Sequence, residues 1–303
     1  MSNKNLSILF TGQGSQYPEM GVELSNNFSW VKERYKQSSD ILGYDVLKTQ
    51  ENPEILNLTE YSQPSIFIYT SIMIDFIKDK LKNSASNITL AGHSLGEYAA
   101  LYFANSLNFE DMLRVVKFRG EAMSIVSDPS KYMMYAILKK EDQVLDHSIF
   151  GDGVYLANLN SDKQIVICGM KDKLEAFKEK HPLGKYIPLN VSAPFHSELM
   201  IESSNLFENK ISEIIFGDVE IDVISNHLLL NYKNISKLEY SNHLKMQIHS
   251  PVLWSDTIQK ILSLNVESFI EIGPKKTLLN FLPRSYVGDK MAITNKEELE
   301  NYV

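Results

Sequence analysis

One short stretch, Leu90 to Leu101, constrains the fold of this chain more than any other. It carries the pattern G-x-S-x-G on Gly92, Ser94 and Gly96. The apolar run before it predicts a short buried strand, and the run from Tyr98 to Phe103 predicts a helix, so the serine falls at the turn between them. A side chain that points out of so sharp a turn needs neighbours without a Cβ, two residues before and two after. The stretch therefore predicts a nucleophile elbow in an α/β fold.

The elbow also predicts a place for negative charge. The helix that begins just after Ser94 points unpaired N–H groups and the positive end of its dipole at the position where an oxyanion would form. Its first donor is the N–H of Leu95. Three fixed positions in five residues also arise by chance in ordinary turns, but the order of strand and helix favours a nucleophile.

Composition and charge narrow the class of protein. The 303 residues suffice for one large domain, alone or with a small insert, and an apolar fraction of 44% can fill its core. A formal charge of −8 argues against binding of nucleic acid or an anionic membrane surface. The single cysteine, Cys168, excludes an intrachain disulfide and a multi-cysteine zinc site. With no signal-peptide segment and no membrane-spanning run, we expect a monomeric cytoplasmic protein without a metal.

The first part of the chain alternates strand and helix patterns. Residues 6–10 predict a buried strand that ends in a turn with two glycines, Gly12 and Gly14. That turn is either a ligand-facing loop or a plain glycine-rich turn. Apolar spacing predicts helices over residues 28–42 and 65–81.

The pattern changes to short pieces between Tyr132 and Asn190. Strands are predicted over residues 132–138, 154–157, 164–168 and 185–189, and helices over 140–146 and 171–180. This βαββαβ order is ferredoxin-like, and turn residues bracket it. We therefore predict a ferredoxin-like small subdomain over residues 129–194, inserted into a larger domain with a parallel sheet formed by residues 1–128 and 195–303. The larger domain resumes with a helix from residue 198, strands over 222–225 and 268–272, and helical pieces over 240–245 and 252–262.

Arg119 lies on the apolar stripe of a helix predicted from Phe109 to Ile125. It is four residues from both Val115 and Met123, so its guanidinium points inward with them. A buried arginine needs a partner. That partner is either a structural carboxylate elsewhere in the fold or a substrate carboxylate held by the planar fork.

A serine nucleophile needs a base within hydrogen-bond reach, and the seven histidines are the candidates. His93 adjoins Ser94, but a neighbour on an elbow points to the other side. His196 lies at the return from the predicted small subdomain, where a cleft between two domains would lie. It is the preferred base, because the remaining histidines fit surface or helix-end positions.

Eight motifs stand in a fixed order along the chain. They are Gly12 to Gln16, Gly92 to Tyr98, Arg119-Gly120 with Met123, Asn158 to Ser161 with Gln164 to Ile167, Phe195-His196-Ser197, Ser225-Asn226, Gln247 with Pro251, and Glu271 to Pro274. With these motifs the chain resembles the malonyl-CoA:acyl carrier protein transacylases over nearly its full length. The resemblance implies an α/β-hydrolase-like large domain that carries the catalytic residues.

The resemblance implies catalytic roles for five matched residues. Ser94 would be the nucleophile that carries the acyl ester, and His196 the base that takes its proton. Gln13 and Leu95 would supply the N–H groups of the oxyanion hole. Gln247 would orient the base through a carbonyl, in place of the aspartate of a Ser-His-Asp triad.

It also implies a substrate site. Arg119 would clamp the free carboxylate of a malonyl group, so that an acyl chain without a carboxylate would leave it unpaired. Phe195 would narrow the pocket beside the acyl α-carbon, which favours malonyl over methylmalonyl. Met123, His93 and Asn160 are expected to complete the substrate site.

The implied reaction is ping-pong. Malonyl-CoA acylates the serine, coenzyme A leaves, and the phosphopantetheine thiol of an acyl carrier protein takes the acyl group. No metal or other cofactor is needed. The stretch from Ala193 to Ser197 resembles free-standing acyltransferases that serve polyketide synthases more than those of fatty acid synthesis.

Two departures from the family pattern and three competing functions accompany this interpretation. Residues 127–134 lack a glycine-rich stretch, and Lys275-Lys276 replaces a small turn. With Arg284 these two lysines form either a patch for the acidic carrier or an ordinary solvated surface.

Three other functions compete with this interpretation. They are an acyl hydrolase on the same scaffold, an unrelated α/β-hydrolase esterase, and a scaffold that only docks carrier proteins. Arg119 disfavours the first rival.

Overall fold

Two β-sheets organise the fold of the chain, which we describe from a computed structural model over residues 5–140, 145–191 and 193–302, without the side chain of residue 84. In chain order the strands are β1 (Asn5–Phe10), β2 (Asn87–Gly92), β3 (Tyr132–Lys139), β4 (Val154–Ser161), β5 (Gln164–Met170), β6 (Gly184–Pro188), β7 (Asp222–Ile224), β8 (Ser268–Ile272) and β9 (Asp289–Ile293).

Helices cover both sheets. They are α1 (Val22–Asn27), α2 (Ser29–Leu42), α3 (Val46–Glu51), α4 (Pro53–Leu56), α5 (Thr59–Ser84), α6 (Gly96–Phe103), α7 (Phe109–Ser124), α8 (Lys171–Lys180), α9 (Ile201–Ile211), α10 (Tyr240–His249), α11 (Trp254–Leu262) and α12 (Lys296–Tyr302). Short 3-10 helices cover His147–Ile149, Glu198–Met200, Tyr232–Asn234, Lys237–Glu239 and Leu278–Phe281. No helix in the described ranges is long and apolar enough to cross a membrane.

The larger sheet is parallel, with strand order β7-β2-β1-β8-β9. The central strand β1 is buried from Leu6 to Phe10, as expected for a parallel strand covered by helices on both faces. Phe10 pairs with Gly92 at the end of β2, so the loops that follow the two strands leave the sheet side by side. Sites of α/β proteins form at this carboxyl edge, and here it brings the glycine-rich turn to the elbow.

The smaller sheet is antiparallel, with strand order β4-β5-β3-β6. Helix α8 packs on it through Leu174 and Phe177. This arrangement confirms the predicted fold class, a parallel sheet with an inserted ferredoxin-like unit. The predicted strand over 154–157 extends to Ser161 with two irregularities in its pairing. The helix predicted over 140–146 falls mainly on residues 141–144, outside the described residues.

The segment after α10 joins the two sheets. The Val252 N–H donates to the Ala157 carbonyl at 2.9 Å, and the Leu159 N–H donates to the Val252 carbonyl at 2.8 Å. Strand β4 of the small sheet is thereby fixed to the larger unit. The exact domain boundaries, at residues 128 and 195, stay a prediction.

Helix α5 begins earlier than the sequence predicts, at Thr59 instead of residue 65, and it contains Pro64. The cause is tertiary packing. A Cβ on Gly120 of α7 would lie 3.1 Å from the Glu60 Cα, so the two helices cross at close range around this extra first turn. The sequence also gave no signal for β9, a short edge strand whose first three residues are exposed.

Candidate active site

Ser94 lies at a strained turn between β2 and α6, with φ at 51°. The flanking glycines are sterically required. A Cβ on Gly92 would come within 1.9 Å of the Gly96 carbonyl carbon, and a Cβ on Gly96 within 2.0 Å of the Phe10 oxygen. The structure therefore has the elbow that the pattern predicts, and its serine is 8% exposed.

The Ser94 hydroxyl donates to His196 Nε2 at 2.8 Å. On the other side of the ring, His196 Nδ1–H donates to the Gln247 backbone carbonyl at 2.9 Å, which fixes the tautomer that leaves Nε2 free to accept. Burial, and then the charge of Arg119, lower the pKa of His196 to about 3. The imidazole is therefore neutral at physiological pH and able to act as a base.

The Gln247 side chain links the elbow to the arginine. Its Nε2 donates to the Ser94 carbonyl at 3.2 Å, and its Oε1 accepts from Arg119 Nη2 at 3.0 Å. The residue thus contacts the base through its backbone and the nucleophile through its amide. A carbonyl that follows the histidine in the chain replaces the acid between serine and histidine that an esterase of the α/β-hydrolase type would have.

Arg119 is buried, with 1% exposure, and points toward Ser94. Its Nη1 donates to Gln63 Oε1 at 2.8 Å, and its Nη2 donates to the Ser94 hydroxyl at 2.9 Å as well as to Gln247. The Tyr98 ring packs 5.2 Å from the guanidinium carbon. Within the described ranges no carboxylate is in direct contact with the guanidinium. The charge of the buried Glu97 acts on it without such a contact.

Gln63 is a site residue that the sequence did not indicate. It accepts from Arg119, and its Nε2 donates to Gln13 Oε1 at 3.3 Å and to Met123 Sδ at 3.5 Å. It lies in the part of α5 that the helix prediction left out. Its position three and four residues before the buried Ile66 and Phe67 is the periodic signal that could have found it.

The two N–H groups expected in an oxyanion hole, those of Gln13 and Leu95, donate to no protein acceptor in the described residues. The two residues lie on loops that are in close contact: a Cβ on Gly12 would be only 2.4 Å from the His93 oxygen. Two unused donors from a turn and a helix start can stabilise a developing oxyanion.

A cavity of about 380 Å³ opens onto the serine. It is lined by Gln13, Gly14, Gln16, Asn57, His93, Ser94, Met123, Met134, Asn158, Val166, Leu189, Asn190, Val191, Phe195, His196 and Lys275. Met134 and Val166 belong to the small sheet, so the cavity lies between the two sheets. Of the predicted substrate residues, Met123, Phe195 and His93 line it. Arg119 is not part of the lining but donates to the hydroxyl of Ser94, which is.

His93 lines the cavity without contacting the Ser94 hydroxyl, and it is hydrogen-bonded to Asn160. His93 Nε2–H donates to Asn160 Oδ1 at 2.9 Å, and Asn160 Nδ2 donates to Gln164 Oε1 at 2.8 Å. Burial lowers the pKa of His93. Asn160 is absent from the cavity lining, whereas Asn158, which belongs to the same sequence motif but was assigned no role, lines it.

The rim holds one of the three cations considered for a carrier patch. Lys275 is exposed and lines the cavity, as do Gln16 and Asn57, which hydrogen bond to each other at 3.0 Å. Arg284 instead lines a separate cavity beside Ser161 and Ser255.

The family described as "Acyl transferase domain" matches residues 8–296 of the chain. Acyltransferases are thus the class of protein that this fold and elbow define. The malonyl CoA-acyl carrier protein transacylase of Synechocystis is 34% identical over 91% of this chain and 92% of its own length. The polyketide biosynthesis malonyl CoA-acyl carrier protein transacylase PksC of Bacillus subtilis is 32% identical over 92% of this chain and 96% of its own.

A similar fold occurs in a solved complex of a type II polyketide synthase acyl-carrier protein with its malonyl-transacylase. The matched chain of that complex is 28% identical to this chain with a TM-score of 0.88, and the match covers 99% of this chain and 99% of the other. The chain belongs to the malonyl CoA-acyl carrier protein transacylase family, an acyltransferase family with a serine nucleophile. The resemblance carried by the eight ordered motifs is thereby confirmed.

Proposed function

We propose that this acyltransferase moves a malonyl group from coenzyme A, through an ester on Ser94, to the phosphopantetheine thiol of an acyl carrier protein. The observation that carries the proposal is the Arg119 guanidinium, 2.9 Å from the Ser94 hydroxyl and bonded only to neutral groups in the described residues. A buried cation with neutral partners is suited to receive the carboxylate of a dicarboxylic acyl group.

Acylation begins with the hydrogen bond from Ser94 to His196. As the Oγ–C bond forms, the hydroxyl proton moves to Nε2, and the Gln247 carbonyl stabilises the resulting imidazolium through Nδ1–H. The thioester oxygen becomes negative and accepts from the Gln13 and Leu95 N–H groups. The C–S bond then breaks, and the thiolate of coenzyme A takes the proton back from His196.

The second half of the reaction reverses these steps with a different thiol. The carrier's phosphopantetheine thiol gives its proton to His196 and attacks the Ser94 ester, and the Oγ–C bond breaks as the serine regains its proton. Both half-reactions use the same base, so the mechanism is ping-pong and requires no cofactor.

The proposal also covers the carrier protein, the pathway, the cellular location and the oligomeric state. The relative PksC is named for polyketide biosynthesis and the Synechocystis relative is not, so we propose a free-standing enzyme that serves polyketide or fatty acid synthesis. The complex of a malonyl-transacylase with its carrier protein supports an acyl carrier protein as the partner. We further propose that the enzyme acts as a cytoplasmic monomer.

The competing function is an acyl hydrolase that releases acyl groups to water. It is not favoured, because a hydrolase of uncharged acyl chains has no use for a buried cation beside the nucleophile. Intact mass of the purified protein distinguishes the two, measured seconds after mixing with malonyl-CoA and again after addition of a holo carrier protein.

We expect a malonyl adduct that persists in water and then moves to the carrier. Ser94→Ala should give no adduct, and acetyl-CoA should acylate the wild-type protein less. A malonyl adduct on Ser94→Ala would refute the assignment of the nucleophile. Free malonate without a lasting adduct would replace transfer with hydrolysis.

A further inference from the structure

A second buried charge lies directly behind the elbow. Glu97, in the first turn of α6, is fully buried. Its Oε1 accepts from the Tyr232 hydroxyl at 2.6 Å, and its Oε2 accepts from the Asn226 backbone N–H at 2.8 Å and from Asn226 Nδ2 at 2.6 Å. In the described residues it forms no ion pair, although a buried carboxylate is normally paired with a cation.

Arg119 is the complementary case, a buried cation bonded to neutral groups. The two charges come from consecutive helices and influence each other without direct contact, since the charge of Arg119 and the Gln247 side chain both lower the pKa of Glu97. Gln247 Oε1 also accepts from Arg119. Its Nε2 and the Glu97 backbone N–H both donate to the Ser94 carbonyl, at 3.2 Å and 3.1 Å, so Gln247 connects the two buried charges through the elbow.

We propose that Glu97 is the internal counter-charge of Arg119, and that binding of an acyl carboxylate to Arg119 is coupled to protonation of Glu97. This inference rests on the proposed function, which supplies the carboxylate.

The physical reason is the cost of an uncompensated charge in a buried site. A carboxylate bound to Arg119 cancels the positive field that favours the ionised form of Glu97 and adds a second negative charge nearby. Burial has already raised the pKa of Glu97 to about 7 in the free protein, so only a modest change is needed to protonate it.

The sign of the pH dependence follows. Well below pH 7, Glu97 already carries its proton, and binding takes up none. Above pH 7, the free protein has an ionised Glu97 and the complex a protonated one, so binding takes up a proton. The affinity for the carboxylate then falls by up to about tenfold per pH unit.

The other titratable groups near Glu97 and Arg119 are His196, His93, Tyr98 and Tyr232, and the His243 ring lies 6.3 Å from the rings of both Tyr232 and His227. Burial raises the pKa of both tyrosines above the usual range, so they stay neutral throughout. His196 is the rival proton acceptor, because the charge of Arg119 lowers its pKa as well. The experiment must therefore separate His196 from Glu97.

The test is calorimetric titration of Ser94→Ala protein, which cannot be acylated, with malonyl-CoA in two buffers of different ionisation enthalpy. We expect uptake approaching one proton per malonyl-CoA at about pH 8 and little at about pH 6. Acetyl-CoA should cause no uptake. Binding without proton uptake at pH 8 would overturn this inference and leave the proposed function intact, whereas no binding of malonyl-CoA would overturn both.

The Ser94→Ala, Glu97→Gln double variant identifies the acceptor. Glutamine keeps the shape, since its carbonyl can accept from Asn226 and its amide can donate to the Tyr232 hydroxyl. We expect it to abolish uptake at pH 8 and to make malonyl-CoA affinity independent of pH between 6 and 8. Uptake that persists would place the proton on another group of the site, such as His196 or His93, and overturn the inference.

Two further variants in the Ser94→Ala background complete the design. Tyr232→Phe keeps the carboxylate but removes a hydrogen bond that lowers the pKa of Glu97, so uptake should begin at higher pH and be smaller at pH 8. Unchanged uptake in this variant would contradict the proposal. Glu271→Gln is the matched control, because Glu271 is also buried but accepts from the N–H groups of residues 277–279. It should leave uptake unchanged.

Discussion

Arg119 makes two kinds of contact, one to the nucleophile and one to buried side-chain amides. Because its described partners are neutral, we expect an ion pair with a substrate carboxylate to stabilise the complex strongly. An acyl group without a carboxylate would leave the guanidinium with its neutral partners. We therefore expect discrimination between acyl groups to depend on this one side chain more than on the shape of the apolar wall.

Replacement of Arg119 by alanine should lower kcat/KM for malonyl-CoA by about 30-fold or more, the usual effect of removing one partner of a buried charge pair. The loss for acetyl-CoA should be smaller, since acetyl makes no ion pair. Steady-state transfer of both acyl groups to one carrier protein measures the ratio. An equal loss for both donors would mean that Arg119 supports the elbow and does not select the substrate.

The pH dependence of acylation is the second residue-scale prediction. Because the pKa of His196 is lowered to about 3, the imidazole stays unprotonated far below its ordinary range near 6.5. The rate constant for acylation, from single-turnover experiments with acetyl-CoA, should stay within about twofold from pH 7 down to pH 5. A titration near pH 6.5 in the wild-type protein would contradict this. In Arg119→Ala the loss of charge repulsion should move the acid limb to higher pH.

At this scale the sequence indicated the residues whose types and spacing carry their chemistry. Ser94 followed from the glycines around it, and the inward orientation of Arg119 followed from its helical stripe. Gln63 was missed because apolar spacing predicted a helix from residue 65, whereas α5 begins at Thr59. The backbone carbonyl that holds His196 leaves no trace in a sequence, since every residue has one, and only the family resemblance pointed to Gln247.

Among the elements, the turn from β2 into α6 has the least freedom. Gly92→Ala should abolish acylation and lower the free energy of unfolding by about 3 kcal/mol or more, because the new Cβ would lie 1.9 Å from backbone of the same elbow. Gly43→Ala is the control. Its φ of 83° is also left-handed, but no atom lies within 4 Å of the added Cβ. It should cost only about 1 kcal/mol and keep full acylation. Urea unfolding and intact mass measure both effects, and an active Gly92→Ala protein would refute the steric account.

Elements with strong periodicity were predictable and weakly patterned ones were not. Helix α7 and strands β1, β2 and β8 fall where apolar spacing placed them, because their buried faces are continuous. Strand β9 is short and half exposed, so its pairing with β8 supplies an order that its own residues do not specify.

Over the whole molecule, the segment around Val252 connects the base to the opposite wall of the cavity. Helix α10 carries the carbonyl that holds His196, and the chain then pairs with β4, whose Asn158 lines the cavity. The same segment of chain, from Gln247 to Val252, therefore holds both the small sheet and the ring of the base in position. No local sequence pattern could have indicated this, because the contact joins residues about ninety positions apart through backbone groups alone.

Val252→Pro tests that support, since proline removes the N–H that bonds to the Ala157 carbonyl. Val252→Ala is the matched control, because it keeps both backbone bonds and removes only buried side-chain volume. In both variants the free energy of unfolding should fall by about 1–3 kcal/mol, so both should unfold at a lower urea concentration. Under conditions where both are fully folded, only the proline variant should lose malonyl transfer, by roughly tenfold, and lose protection of the Leu159 amide against hydrogen exchange. Equal activity in the two folded variants would show that the base is held within the large unit alone, and that the small sheet contributes cavity wall without positioning the catalytic pair.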